Sequence, residues 1–208
     1  MGIYTVIICD IIESRSLAER GQVQKHVEAG FEAVNRRYNE HIAIPFQFTL
    51  GDEFQGVLND ASKAPHVVSQ LREEIAPVRI RIGMAIGDIV TDLSGDIRQV
   101  DGPAFHMARE VMEDLKREQR LTKFASQSGY DDVVNTVYML YDVIIDQRTE
   151  RQWQVARAYN LASSGDAAAR ALGTTPQNVS KHIHAAHLLE TNQAERFLEH
   201  YLLDRFIH

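Results

Sequence analysis

Apolar and polar positions along the chain follow two periods, and each change of period marks an element. Residues 3–9 form an apolar, β-branched run that predicts a central strand covered on both faces. It ends at Asp10. Within residues 17–39, Val23, Val27, Phe31, Val34 and Tyr38 recur at spacings of three and four, which predicts a long helix against the sheet. After Pro45 the period drops to two: Phe46, Phe48 and Leu50 alternate with Gln47 and Thr49, and Phe54, Gly56 and Leu58 continue beyond a bend. Residues 46–58 thus read as strand, tight turn, strand, with Gly51 supplying a backbone that a Cβ would resist. Val67, Val68, Leu71 and Ile75 predict a helix over 61–75, stopped by Pro77. Residues 78–87 form the clearest strand, in which Gly83 and Gly87 imply a bulge or a close backbone approach. Residues 88–92 are expected to extend or return the sheet. A third helix opens at 101–109 with Pro103 near its first position. A strand at 121–125 and an apolar helix at 131–146, leading out of the domain, complete this part.

The character of the chain changes near Gln147. Thr149-Glu-Arg-Gln152 matches a capping box, in which threonine and glutamine each satisfy an otherwise unpaired backbone donor. A helix to about residue 161 follows, then a turn at 163–165 and a short helix at 167–172 capped by Asp166. Gly173-Thr-Thr175 turns the chain again, and Pro176 begins another helix. This succession outlines a helix-turn-helix. Ala168, Leu172, Val179 and Ile183 would pack its helices. Thr175, Gln177, Asn178, Ser180, Lys181 and His182 would face phosphates or base edges, with His184 and His187 nearby. Apolar residues from Leu188 to Phe206 predict a closing helix that would also serve as a dimer contact. The expected organisation is an α/β (α+β) domain over 1–128, a connecting helix over 129–148 and an all-α helix-turn-helix domain over 149–208.

Composition narrows the function classes. The 208 residues are 44% hydrophobic and 25% charged, ordinary for a globular chain, and the net charge of −7 argues against a polycation that coats nucleic acid. Cys9 is the single cysteine, so no intrachain disulfide forms, and its apolar surroundings make it a small hydrophobe. No stretch approaches a membrane span, and the N-terminus lacks a basic region followed by an apolar signal core, which predicts a cytoplasmic protein without membrane contact.

Candidate chemistry gathers at three places. Asp52 and Glu53 sit together at the hairpin bend, a repulsive pair unless a cation or donors lie nearby; an ordinary solvated turn is the plain alternative. Asp10 lies at a strand end, where open α/β sheets bind ligands and where a simple cap also belongs. The glycine-led start at Asp101-Gly102 is either a phosphate-receiving helix N-terminus or merely a well-formed one.

Ile8-Cys-Asp-Ile11, Thr49-Leu-Gly-Asp52, and Arg81-Ile-Gly-Met-Ala-Ile-Gly-Asp88 followed by residues 102–109 resemble, in order and spacing, the catalytic domain of class III adenylate and guanylate cyclases. Asp10-Ile-Ile-Glu-Ser-Arg15, Leu50-Gly-Asp-Glu-Phe-Gln-Gly56 and Asp101-Gly-Pro-Ala-Phe105 with Ala108-Arg109 give the whole chain, appended helices included, a resemblance to the SatD family of bacterial proteins. The resemblance implies a ferredoxin-like palm sandwich. It also implies Asp10 and Asp52 as ligands of Mg or Mn and Arg109 as the transition-state arginine of any surviving catalysis. Ile11, Arg15, Gly51, Glu53, Asp101 and Gly102 would line a nucleotide or other phosphorylated ligand. The purine-reading lysine expected four residues before Asp52 is Phe48 instead. The acid expected eleven before Arg109 is Arg98, and the asparagine expected four before it is Phe105. The Gly-Asp-Glu-Phe string is also similar to diguanylate cyclases, except that Leu50 precedes it in place of glycine.

These readings predict a homodimeric DNA-binding regulator whose cyclase-like domain senses a metal-bound phosphorylated ligand or serves for dimerisation. A metal-dependent cyclase-like or phosphohydrolase enzyme is the alternative. A catalytically dead protein-interaction module is a third.

Overall fold

The computed structural model describes residues 3–13, 20–93, 96–129, 131–162 and 164–206. Its centre is a five-stranded sheet of β1 (Ile3–Ile11), β2 (Ile42–Leu50), β3 (Glu53–Leu58), β4 (Ile80–Asp88) and β5 (Thr122–Ser126), ordered β2-β3-β1-β4-β5. β1 runs antiparallel to both β3 and β4, β2 and β3 form the hairpin, and β5 adds in parallel beside β4. With α1 (Arg20–Arg37) after β1 and α2 (Ala64–Ile75) after β3, the first four strands make two interleaved split βαβ units. This is the ferredoxin-like arrangement.

The apolar run of β1 is buried on both faces because each parity of its residues meets a different helical layer. Ile7, Cys9 and Ile11 pack with Val27, Phe31 and Val34 of α1 and with Val67, Leu71 and Ile75 of α2. Val6 and Ile8 point the other way, toward Ala104, Phe105, Ala108, Val111 and Leu115 of α3 (Pro103–Glu118). Burial pushes the Cys9 thiol up, which leaves it an inert core group. Gly83 and Gly87 mark a close approach: a Cβ on Gly83 would lie 3.1 Å from Val111 and one on Gly87 3.0 Å from Met107, so α3 rests almost on the strand backbone.

Beyond β5 come α4 (Asp131–Ile145), α5 (Glu150–Ala162), α6 (Gly165–Ala171), α7 (Pro176–Ala185) and α8 (Leu188–Phe206). Val134 and Tyr138 of α4, and Leu198 and Leu202 of α8, join the same core as α1 and α2. The sides of α2 that carry polar residues are therefore covered too. Arg72 meets Asp142 at 3.1 Å, Glu73 accepts from Asn160 at 2.6 Å, and Glu74 meets Arg157 at 2.5 Å. A separate small core of Val155, Ala156, Ala168, Ala169, Val179, Ile183 and Leu188 holds α5, α6 and α7 together. No helix among the described residues is long and apolar enough to cross a membrane.

Two local expectations change. Residues 89–92 leave the sheet: Val90 donates to the Asp101 carbonyl, and Ile89 turns into the α3 core. The cap of α6 is Ser164, not Asp166. Ser164 has the extended backbone a cap requires and accepts from the Ala167 amide, whereas Asp166 already lies within the first turn. The capping box at α5 forms as expected, with Thr149 N donating to Gln152 Oε1 at 2.7 Å and Gln152 N to Thr149 Oγ1 at 3.3 Å.

Candidate functional site

Asp10 follows Val6 and Ile8 on the α3 face of β1, at the end of the strand. Strand register sets Glu53 of β3 on one side of it and Arg81 of β4 on the other. Lys116, in the last turn of α3, reaches the same carboxylate. Asp10 Oδ1 lies 3.2 Å from Lys116 Nζ, and Oδ2 lies 3.4 Å from Arg81 Nη1. The Asp10 side chain is only 12% exposed. A carboxylate so far withdrawn from water needs compensation, and two cations supply it. Glu53 Oε1 accepts from Gln55 Nε2 at 2.5 Å and from Thr49 Oγ1 at 3.2 Å. Beside this row, Ile8, Glu53, Arg109, Met112, Glu113 and Lys116 line a recess of about 160 Å³.

Asp52 belongs to the same corner. It occupies the bend with Gly51, whose φ of +61° suits glycine, and its carbonyl accepts from Ile11 N at 3.2 Å. Gln24 fastens the bend through the Gly51 carbonyl at 3.0 Å. Asp10, Ile11, Gly51, Asp52, Glu53 and Arg109 thus converge at one end of the sheet. Asp101 and Gly102 do not. They sit at the opposite end of α3, roughly 20 Å away along a helix of that length. Packing accounts for Gly102: a Cβ there would fall 2.8 Å from the Asp88 carbonyl oxygen. Arg15 lies outside the described residues.

The groups around Asp10 do not fit a divalent cation. Both carboxylate oxygens already face a cationic nitrogen, and the nearest cross-strand acid, Glu53, is engaged by Gln55 and Thr49. Among the described residues no three histidine, cysteine, aspartate or glutamate side chains gather as an all-protein metal cage. Lys116 and Arg81 stand where a metal's charge would act.

The departures from the cyclase pattern have structural reasons. Phe48 lies in an aromatic cluster, 5.3 Å from Phe31 and 6.0 Å from Phe54 between ring centres. Phe105 is buried against the sheet, and Arg98 closes on Asp96 of its own loop. None of these three side chains lines the recess.

At the other end of the chain, Thr175 caps α7 by accepting from Asn178 N at 3.2 Å, and Asn178 Nδ2 donates to Thr174 Oγ1 at 2.9 Å. Those two residues shape the turn. Val179 and Ile183 fasten α7 to its neighbours, and His182 is half-buried. Gln177, Ser180, Lys181 and His184 form the exposed stripe, at helical spacings of three and four.

Sequence reasoning missed Arg81 and Lys116 as the partners of Asp10. Arg81 carried a signal, as a polar residue between Ile80 and Ile82. Lys116 falls on the same side of α3 as Arg109, seven residues on.

The family described as SatD family (SatD) matches residues 4–163. Among solved structures, the diguanylate cyclase SiaD, crystallised with its activator SiaC from Pseudomonas aeruginosa, is 15% identical, with a TM-score of 0.44 over 60% of this chain and 50% of that one. The chain thus spans half the length of that cyclase. A bacterial light-regulated adenylyl cyclase is 14% identical, with a TM-score of 0.40 over 59% of this chain and 75% of that one. A regulator of polyketide synthase expression from Bifidobacterium adolescentis is 13% identical, with a TM-score of 0.30 over 97% of this chain and 86% of that one. A search of curated proteins finds no match.

Proposed function

The chain belongs to the SatD family, and from that premise we propose that it is a cytoplasmic DNA-binding regulator that reads its operator with α7. The carrying observation is the division of labour within α7. Val179 and Ile183 hold it against α5 and α6, Thr175 caps it, and Gln177, Ser180, Lys181 and His184 remain free for a partner. A helix held rigidly from behind, with a polar front, is the geometry by which a helix-turn-helix enters the major groove. Glutamine there suits adenine, and serine and lysine suit base edges or phosphates. Exposed Met139, Leu140 and Val143 on α4 favour self-association, which would offer two copies of α7 to a two-fold operator.

The recess beside Asp10 is read as a sensing or assembly surface rather than a catalytic one. Arg109 and Lys116 would meet a phosphorylated ligand directly, and the cations paired with Asp10 support a reading without metal-assisted chemistry. Selection of bound duplexes from a randomised pool by the full-length protein tests the main reading. It predicts recovery of a preferred, two-fold-related sequence; a pool without enrichment contradicts it.

A further inference from the structure

Arg148 lies in the turn between α4 and α5 and is only 8% exposed. Its Nε donates to the Ala186 carbonyl at 3.0 Å and its Nη2 to Thr191 Oγ1 at 2.7 Å, both neutral acceptors. The guanidinium lies over the Trp153 ring, 4.9 Å from its centre. No carboxylate of the described residues lies within 4.0 Å of its nitrogens. Nη1 has no hydrogen-bond partner among the described residues. Burial holds the guanidinium pKa below its ordinary value, against the opposing pull of Glu73 and Glu195, which act on it from beyond contact distance. With neutral acceptors on Nε and Nη2 and no carboxylate in contact, Nη1 is the donor left for an anion, which a charge-assisted hydrogen bond would hold.

The place for that anion adjoins it. A cavity of about 130 Å³ runs from Arg148 and Trp153 to Arg72, Arg79 and Asp146, walled by apolar groups that include Pro77, Val78 and Ile80. Two of its three arginines have their own acids. Arg72 is matched by Asp142 at 3.1 Å and Arg79 by Asp146 at 2.6 Å. Arg148 has no acid in contact with it, Glu73 and Glu195 acting from farther off. The size is close to that of the ~150 Å³ apolar cavity known to admit a benzene ring.

We propose that this cavity binds a small monocarboxylate with a flat apolar body, its carboxylate on Arg148 Nη1 beside Arg72 and its body against Trp153 and the apolar wall. A carboxylate suits the spare guanidinium donor, and the apolar wall disfavours a bare inorganic anion. Arg148 also ties the end of α7, through Ala186, to α8, through Thr191, so the ligand would bear on the guanidinium that fixes the pose of α7. The inference concerns binding alone and stands whether or not α7 reads DNA.

Trp153 is the only tryptophan of the chain and a built-in reporter. Its fluorescence in the full-length protein is titrated with benzoate, benzamide and inorganic phosphate. Benzoate is expected to saturate with a Kd at or below about 1 mM, with benzamide and phosphate at least about tenfold weaker. Arg148→Gln is expected to weaken benzoate by at least about tenfold, and Val78→Phe, which fills the cavity and leaves Arg148 in place, to abolish binding. Lack of saturation by benzoate overturns the proposal. So does equal binding of benzamide or phosphate, or an unchanged Kd in Arg148→Gln. Should Arg148→Gln fail to fold, Val78→Phe decides: loss of benzoate binding by the folded variant supports the site, and retention overturns it.

Discussion

Glu73 sits where α2 meets the C-terminal helices, and its substitution by glutamine gives a calculable result. The residue is 5% exposed, accepts from Asn160 at 2.6 Å, and has its pKa pushed up from 4.5 to about 7, first by burial and then by the nearby Glu195 charge. A carboxyl whose folded pKa lies above its unfolded one destabilises the fold once the unfolded chain ionises. Below pH 4.5 both states hold the proton and Glu73 contributes nothing. Between 4.5 and 7 only the unfolded chain releases it, so stability falls as pH rises. Above 7 the penalty is complete, and at about 1.4 kcal/mol per pH unit it amounts to roughly 3 kcal/mol. A glutamine side chain at this position would keep the acceptor for Asn160 without the charge. Urea unfolding of wild type and Glu73→Gln at pH 5, 6, 7 and 8 should give a gap that opens with pH, near zero at the acid end and about 3 kcal/mol in favour of the variant at pH 8. His66, whose pKa is raised chiefly by its hydrogen bond to Glu195, also loses stabilising charge as pH rises. It acts in both proteins, so the difference between them isolates Glu73. A gap that does not vary with pH would refute the argument.

Three further outcomes are expected. Thr149→Ala removes half of the α5 capping box and should lower stability by about 1 kcal/mol in urea unfolding, with α5 itself retained by far-UV circular dichroism. Gly56→Ala should destabilise by about 1–3 kcal/mol, because the new methyl would lie 2.7 Å from the buried Phe46 ring, whose neighbours leave it little room to retreat. On a selected DNA duplex, Lys181→Ala should weaken binding at all sequences alike and reduce the salt slope by about 1, as measured by gel shift across a salt series.

Much of the sheet was legible because burial on a strand follows parity. The run at β1, Phe46 and Phe54 in the hairpin, and the glycines at 83 and 87 each lead to the observed layers, whereas Leu50, expected on the same face as Phe46, is exposed and β3 is buried on both faces beyond Glu53. The capping box at Thr149 was equally plain, since its partners lie three residues apart. What stayed hidden depends on contacts far apart in the chain. Arg81 and Lys116 become partners of Asp10 only once β4 is registered against β1 and α3 is laid across both. Glu73 reads as a solvated helix residue until α5 and α8 cover it. Ser164 and Asp166 are both capping types two residues apart, and only the backbone shows which of them is extended. Asp10 and the Asp52 bend do lie at one end of the sheet, but the ion pairs on Asp10 could not be read from spacing.

The most direct test of the account compares binding isotherms of the full-length protein and a Gln177→Ala, Ser180→Ala, Lys181→Ala variant on the selected duplex and a scrambled one, at near-physiological salt. Wild type is predicted to prefer the selected duplex by about a thousandfold or more, with the folded variant reduced to its scrambled-sequence level. Equal affinity of wild type for the two duplexes, or undiminished preference in the variant, would contradict α7 as the reading helix.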